Sequence, residues 1–414
     1  MEILEKKYRD YLVDNFIEMV KIDTTSDENS NSSPSSKNQF DLAYLLEKKL
    51  KELGLQEVSV SDKCYVYATL PSNCNSKFKI AFIAHMDTSP SVSGKNVKPR
   101  IIENYNGDRI LLKEPDVYLD WNDSEILKKY IGRTLIVTSG DTLLGADDKA
   151  GIAEILTGLK ILKENPQIKH PEIKIIFTPD EEIGEGATNI DKTKFGDFGY
   201  TFDGGVEGEI EDECFDAFFV KVEFFGLNVH PGEAKGKMIN ASRLMVKYLS
   251  KLPENQIPEK TSNKKGFFHI TEIKGDESYS YFKMILRDFK KEKNEKRIKI
   301  LKKLKLTFEK KYKGLRINLE IKKQYNNMKE VLSQYPDVVN IAIKAIELAG
   351  IKPIRKGIRG GTDGARFSFM GMPTPNIFTG GLLYHSIKEW ISLESMEYAV
   401  KTFINICELW ANKK

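Results

Sequence analysis

The sequence contains few residues of the kinds that build secreted or membrane proteins. Only four cysteines occur in 414 residues, and no two have CxxC spacing. This argues against a disulfide framework or a cysteine metal site and fits a reducing cytoplasm. No run approaches the ~20 apolar residues of a membrane span, and residues 1–7 lack the apolar core of a signal peptide. We therefore expect a cytoplasmic protein without a membrane partner.

An excess of charge of one sign is also lacking. The net charge is only +4, and 40% of residues are apolar and 30% charged, which is typical of a soluble globular protein. The lysine-rich segment 290–313 could be read as a nucleic-acid patch. Glutamates at 292, 295 and 309 dilute its charge, so we expect the exposed face of an amphipathic helix and no nucleic-acid partner.

Two element patterns predict the fold class. Strand-like apolar runs alternate with helical patterns up to residue 211 and again from residue 329, which indicates an α/β layered domain. Between them the order β-α-β-β-α-β is typical of a ferredoxin-like unit. We predict an α/β, two-domain protein. Residues 1–211 and 329–414 form a catalytic domain with a mostly parallel central sheet, and residues 212–328 an inserted ferredoxin-like α+β lid or dimerisation domain.

His85 and Asp87 end a buried strand with HxD spacing. Side chains two residues apart on a strand share one face, so the Asp87 carboxylate could hydrogen-bond the His85 ring and fix its tautomer as a metal ligand. A structural histidine beside a turn aspartate would show the same pattern, and HxD alone is a weak signal.

Two acidic pairs follow apolar segments. Asp147 and Asp148 open a helix, where one acid is enough to cap the free N–H groups and Asp148 can do so. Asp147 could then give one oxygen to each of two metals. Glu181 and Glu182 point in different directions after a strand, so one could bind a metal while the other moves protons. An acidic surface turn would have the same composition.

Asp203 precedes two glycines at the end of a strand, and His385 follows another strand-like run. Taken together, His85, Asp147, Glu182 and Asp203 would lie at the carboxyl ends of parallel strands, where open α/β sheets bind ligands. Two imidazoles with several carboxylates suit one or two divalent ions such as Zn²⁺. The set predicts metal-assisted hydrolysis.

At these residues the chain resembles the co-catalytic zinc peptidases, a family that includes carboxypeptidase G, aminoacylase and succinyl-diaminopimelate desuccinylase. The resemblance covers nearly the whole chain. The strings that support it include the following: Ala84-His85-Met86-Asp87-Thr88, Leu144-Gly145-Ala146-Asp147-Asp148-Lys149, Phe177-Thr178-Pro179-Asp180-Glu181-Glu182, Asn228-Val229-His230-Pro231-Gly232 and Arg359-Gly360-Gly361-Thr362-Asp363-Gly364.

The resemblance implies a role for each candidate. It implies two Zn²⁺ per subunit, with Co²⁺ or Mn²⁺ as substitutes. The implied ligands are Asp147 for both ions, His85 and Asp203 for one ion, and Glu182 and His385 for the other. Glu181 is implied as general base and acid, and Asp87 as the residue that supports His85. It implies that the inserted domain contacts the substrate through His230, Asn240 and Arg287, and that the protein is a homodimer.

The implied activity is release of the N-terminal amino acid from tripeptides, through attack by a hydroxide held between the two ions. Other readings stay open: a relative that cleaves dipeptides or N-acyl amino acids, and a non-catalytic binding protein of the same fold. One departure from the usual pattern is the apolar pair Leu382-Leu383 before His385, where polar residues are common.

Overall fold

The computed structural model describes residues 3–413, which form two compact units. The first contains the residues up to Asp212, Val331–Lys356 and the chain from Thr362 onward; the second contains Glu213–Glu330 and Gly357–Gly361. The short return at 357–361 was not anticipated from the sequence. The predicted domain boundaries stay a prediction.

The secondary structure alternates strands and helices in the first unit, as expected. Within residues 3–413 the helices are α1 (Lys6–Val20), α2 (Gln39–Glu52), α3 (Ala146–Glu164), α4 (Ala241–Leu249), α5 (Lys291–Lys311), α6 (Lys329–Leu332), α7 (Pro336–Ala349), α8 (Asp363–Met370) and α9 (Leu393–Ala411). The strands are β1 (Gln56–Val60), β2 (Val66–Leu70), β3 (Lys79–His85), β4 (Arg100–Ile102), β5 (Ile110–Lys113), β6 (Val117–Leu119), β7 (Leu135–Val137), β8 (Glu172–Thr178), β9 (Phe198–Gly204), β10 (Glu209–Cys214), β11 (Asp216–Phe225), β12 (Phe267–Gly275), β13 (Tyr279–Asp288), β14 (Arg316–Tyr325), β15 (Ile354–Ile358), β16 (Asn376–Phe378), β17 (Gly381–Leu382) and β18 (Trp390–Ser392).

An eight-stranded sheet forms the centre of the first unit, in the order β1-β2-β8-β3-β9-β16-β10-β15. Its middle strands β8, β3, β9 and β16 are parallel, and β1–β2, β2–β8 and β10–β16 are antiparallel. The predicted α/β class is confirmed. The sheet is mixed because the hairpin β1–β2 extends one edge and β10, near the other edge, runs antiparallel to β16. The parallel centre carries the site.

Strand β3 shows why the middle of this sheet is buried. Its apolar run is covered on one face by aromatic rings. The centre of the Phe82 ring lies 4.1 Å from the ring centre of Phe403 on α9 and 6.0 Å from that of Tyr200 on β9. Helix α3 approaches α9 closely at Gly158, where an added Cβ would come within 2.3 Å of the Phe403 ring. A glycine is therefore needed for this helix contact.

A smaller sheet of the first unit has the order β17-β18-β7-β4. The first residue of β18, Trp390, lies opposite the last residue of β7, Val137. The pairing continues one residue further, because Thr138 N–H donates to the main-chain oxygen of Glu389. This pairing brings the segment after His385 beside the loop that leads into α3.

The second unit has the ferredoxin-like arrangement predicted from its element order. Its sheet has the order β12-β13-β11-β14, and the three neighbouring pairs are antiparallel. Helices α4 and α5 pack on one face over a core that includes Phe224, Tyr248, Phe282, Leu301 and Phe308. Among residues 3–413 no helix is long and apolar enough to cross a membrane.

Candidate metal and catalytic site

The five predicted metal ligands lie together in the first unit. Asp147 lies between the two histidines: its Oδ1 is 2.8 Å from His85 Nε2, and its Oδ2 is 3.1 Å from His385 Nε2. Glu182 Oε1 is 2.8 Å from His385 Nε2, and Asp203 Oδ1 is 3.6 Å from His85 Nε2. The cluster therefore has two halves that share Asp147.

The sheet explains why ligands that are distant in sequence meet here. Strand β3 ends at His85, its parallel neighbour β8 ends shortly before Glu182, and β9, on the other side of β3, contains Asp203. Carboxyl ends of parallel strands meet at one edge, which is the usual ligand edge of an open α/β sheet.

Hydrogen bonding orients the His85 ring. Nδ1 lies 3.0 Å from the main-chain oxygen of Asp87. A carbonyl oxygen can only accept, so Nδ1 donates to it, and Nε2 is the nitrogen that faces Asp147. A histidine held in this way can present Nε2 to a metal that takes the place of the Nε2 proton.

The Asp87 carboxylate has contacts beyond the one to the His85 ring that the sequence predicted. Its Oδ1 is 3.4 Å from His85 Nδ1, whereas the main-chain oxygen is closer and takes the ring hydrogen bond. The carboxylate instead accepts the main-chain N–H groups of Glu181, at 2.9 Å, and Glu182, at 3.1 Å. Asp87 therefore orders the loop of the two glutamates as well as the ring.

The sequence predicted that Asp148 caps the helix that it opens, but in the structure it belongs to the site. Its side chain does not cap α3, and its Oδ2 instead accepts the main-chain N–H of His85 at 3.1 Å. Its buried Oδ1 has no hydrogen-bond partner among the described residues. Asp148, His85 and Asp203 place one ligand atom each within 4.8 Å of one another, and only the fold could reveal this.

The electrostatics of the cluster are those of crowded, buried carboxylates. Burial, with the nearby charge of Asp147, raises the pKa of Glu182 to about 7, and burial raises that of Asp203 to about 6. Burial also raises the pKa of Glu181 well above its usual value, with a further contribution from Asp203. Asp147 is the exception: burial opposes its ionisation, but hydrogen bonds from His385 and His85 outweigh it and lower its pKa.

These properties fit a pair of divalent cations. The donor set of two imidazole nitrogens and several carboxylates is one that Zn²⁺ accepts. The unpartnered Oδ1 of Asp148 and the raised carboxyl pKa values both show that ionising these buried carboxylates is unfavourable without a nearby positive charge. A bound cation would supply that charge. The residues present therefore fit the metal centre expected from the sequence.

Two loops of the site contain non-glycine residues in the left-handed region. Asp180 has φ +57°, and Leu383 and His385 have φ +56° and +59°. Such residues cost about 1–3 kcal/mol each and cluster at functional sites. Asp180 is held by its side chain, which accepts hydrogen bonds from Ser35 N–H at 2.8 Å and Gln39 Nε2 at 2.7 Å.

The apolar pair before His385 packs into the interior of the first unit. Leu382 and Leu383 are partly buried and pack against a core cluster that contains Tyr130 and Trp390. The departure from the usual polar residues therefore contributes to packing of the first unit.

His230 and Asn240 lie in the second unit and line one pocket of about 750 Å³, together with Asn228, Val229, Pro231, Ala234, Met238 and Glu277. His230 Nδ1 accepts the N–H of Gly232 at 3.2 Å, which leaves Nε2 as the donor atom. The Asn240 side chain caps α4 by accepting the N–H of Arg243 at 2.8 Å.

Arg287 is the third predicted substrate contact and is nearly buried in the second unit. Its Nη1 donates to the main-chain oxygens of Leu286, at 3.1 Å, and Phe218, at 3.3 Å, and its guanidinium lies 5.2 Å from the Tyr325 ring centre. Burial lowers the pKa of this guanidinium. The structure places Arg287 outside the residues that line the His230 pocket.

Residues 144–409 match the family model described as Peptidase family M20/M25/M40. The chain belongs to this peptidase family. The match contains four of the five predicted ligands, Asp147, Glu182, Asp203 and His385, and His85 lies before it. The resemblance inferred from the sequence motifs is thereby confirmed.

Relatives within the M20/M25/M40 family cover almost the whole chain. Peptidase T of Clostridium perfringens strain SM101 is 50% identical over 400 residues, 96% of this chain and 98% of its own. The aminopeptidase PepT of Bacillus cereus superposes with a TM-score of 0.78 at 25% identity and covers 99% of this chain and 100% of its own. A tripeptidase of Staphylococcus aureus has the same fold, with a TM-score of 0.78 at 21% identity over 98% of this chain and 99% of its own.

Proposed function

We propose that this protein is a metal-dependent aminopeptidase that releases the N-terminal amino acid from tripeptides. The observation that carries the proposal is the position of Asp147 between His85 and His385, in a chain that belongs to a peptidase family. The names of its relatives, peptidase T and aminopeptidase PepT, support the reaction and the substrate class.

The proposed centre holds two Zn²⁺ per subunit, for which Co²⁺ or Mn²⁺ could substitute. His85 and Asp203 would hold one ion, Glu182 and His385 the other, and Asp147 both. When bound, such a pair lowers the pKa of a coordinated water and polarises the peptide carbonyl.

Glu181 is proposed as the group that moves protons. Its neighbour Glu182 is a proposed ligand, and its main chain is fixed by the Asp87 carboxylate. Burial raises the pKa of Glu181, which brings a carboxyl closer to the range in which it can accept a proton from water and return it to the departing amine.

The second unit is proposed to recognise the rest of the peptide. His230 would stabilise the oxyanion of the tetrahedral state, and Asn240, which lines the same pocket, would contact the carboxyl end. Arg287 is also proposed to pair with the peptide carboxylate.

Two wider properties accompany the proposal. A homodimer is proposed from the family resemblance. A cytoplasmic location is proposed because Cys64, Cys74, Cys214 and Cys407 form no disulfide with one another, which is usual for cysteines in a reducing compartment.

The deciding experiment combines metal analysis with a panel of free-amine peptides of two to five residues. We expect two ions per chain, loss of activity after chelation, recovery with Zn²⁺, and hydrolysis of tripeptides only. Cleavage of dipeptides or N-acyl amino acids in preference to tripeptides would contradict the substrate assignment, and metal-independent turnover would contradict the reaction.

A further inference from the structure

A buried glutamate outside the proposed ligand set contacts the loop that carries Asp147. Glu389 is 1% exposed. Its Oε2 accepts the main-chain N–H groups of Leu144, at 2.7 Å, and Gly145, at 3.0 Å, and its Oε1 accepts that of Asp147, at 3.2 Å. Three main-chain donors of one loop therefore converge on a single carboxylate.

The local backbone explains why the loop needs such a partner. Gly145 has φ +81°, a left-handed conformation that turns the chain into α3. The first N–H groups of a helix have no partner within the helix, and no side chain of the loop itself caps α3. Glu389 supplies the missing acceptor from a segment more than 240 residues away.

The position of Glu389 also connects two of the proposed ligands. It lies four residues after His385 and directly before β18, whose antiparallel partner β7 leads into the loop of Asp147. One carboxylate thus fixes the loop of Asp147 relative to the segment of His385 without a hydrogen bond to the Asp147 carboxylate or to the His385 ring.

We propose that Glu389 is a positioning residue of the metal centre: its carboxylate holds the main chain of Leu144–Asp147 so that Asp147 presents one oxygen to each histidine. The inference rests on the proposed function of the site. Partners that orient metal ligands usually change metal affinity or activity by about 10–100-fold when they are removed.

The geometry makes Glu389→Gln a sharp test because glutamine has nearly the same shape. A carboxylate has two acceptor oxygens, whereas the amide has one oxygen and an NH₂ group that only donates. If the amide oxygen kept the hydrogen bonds from the main-chain N–H groups of Leu144 and Gly145, the NH₂ group would face the main-chain N–H of Asp147. The variant must lose at least one of the three hydrogen bonds and place two donors together.

The first measurement uses the metal-free protein, so it does not depend on the proposed metals. Hydrogen–deuterium exchange of the peptide that covers residues 143–149 should be at least about 10-fold faster in Glu389→Gln than in wild type. The matched control is Glu397→Gln, the same change at another glutamate that is 1% exposed, on α9. Equal exchange in wild type and Glu389→Gln would overturn the proposal.

The second measurement is Zn²⁺ affinity, by chelator competition on the full chain, with kcat and KM for a tripeptide at saturating Zn²⁺. In Glu389→Gln we expect Zn²⁺ affinity and kcat each to fall by about 10–100-fold, with a smaller change in KM. Glu397→Gln should keep both. A Glu389→Gln protein that loses thermal stability but binds Zn²⁺ with wild-type affinity would show a merely structural role and refute the inference.

Two further outcomes are informative. If Glu389→Gln does not fold, Glu389→Asp replaces it, because a shorter carboxylate keeps the charge but cannot reach all three donors; wild-type Zn²⁺ affinity in Glu389→Asp would then contradict positioning. If wild type itself binds no Zn²⁺, the proposed function fails, and the exchange result in the metal-free protein still decides whether Glu389 holds the loop.

Discussion

Replacing Glu181 by glutamine removes the proposed proton carrier with little change in shape. The main-chain N–H of Glu181 would stay on Asp87 Oδ1, at 2.9 Å, and that of Glu182 on Oδ2, at 3.1 Å. The substitution should therefore leave the loop and the proposed ligand Glu182 in place. We expect the metal content of Glu181→Gln to equal that of wild type.

The magnitude follows from what the amide cannot do. A glutamine can neither accept the proton of the attacking water nor deliver one to the leaving amine, and general acid–base catalysis contributes about 10²–10⁴-fold. This corresponds to roughly 3–5 kcal/mol of transition-state free energy, since each factor of ten is about 1.4 kcal/mol. We expect kcat to fall by at least ~10² with a smaller change in KM, because the substrate contacts are kept.

The assay is release of the N-terminal amino acid from a tripeptide, with metal content measured on the same samples. Glu185→Gln is the control, since this exposed glutamate of the same loop bonds Thr188 and should keep wild-type kcat. The acid side of the wild-type pH profile should also disappear in Glu181→Gln, because the base must be ionised to act. A Glu181→Gln enzyme with kcat near wild type would remove Glu181 as the proton carrier.

Three further predictions concern other parts of the chain. Asp147→Ala should lose both ions and His385→Ala only one, measured as bound Zn²⁺ per chain; full occupancy in Asp147→Ala would contradict a shared ligand. Arg287→Ala should raise KM for tripeptides, and the penalty should shrink for C-terminally amidated peptides, because an amide lacks the charge that the guanidinium would read; an equal penalty on both substrates would mean that Arg287 does not contact the carboxyl end. Burial raises the pKa of Glu211 to about 8, so the folded state favours its neutral form. Below the unfolded-state pKa of about 4.3, Glu211 is neutral in both states and costs the folded state no stability. As the pH rises to about 8, the side chain ionises in the unfolded state but stays largely neutral in the folded state, so the folded state loses stability. Glu211→Gln, which is neutral at every pH, should therefore exceed wild type in unfolding free energy by on the order of 3–5 kcal/mol at pH 8 and match it at pH 4 in urea titrations; equal stability at both pH values would refute this.

Local patterns in the sequence were enough to predict many of the elements. The apolar run before His85 is the buried strand β3, the helical spacing after Asp148 belongs to α3, and the β-α-β-β-α-β order gave the ferredoxin-like unit. These features depend on periodicity and on neighbouring residues, which the sequence displays directly. The residue types of the candidate ligands were equally visible, because metal chemistry restricts them to histidines and acids.

What the sequence could not display are contacts between residues far apart in the chain. Nothing in the local sequence distinguishes Asp148 and Glu389 from other acidic residues. Only the fold lets the Asp148 carboxylate accept the main-chain N–H of His85, and the Glu389 carboxylate accept that of Asp147. The Asp87 carboxylate likewise bonds main-chain groups more than 90 residues away. The order of the strands decides such neighbours, and it depends on crossovers rather than on local pattern.

The sequence by itself thus determined which chemistry this protein can perform, since it fixed the residue types and placed them after buried strands. The tertiary structure decided how those residues meet: Asp147 with one oxygen toward each histidine, and buried carboxylates that hold the main chain around it. The physical reason is that burying a main-chain N–H without a partner costs free energy. The acceptor that satisfies it can come from any part of the chain that the fold brings near.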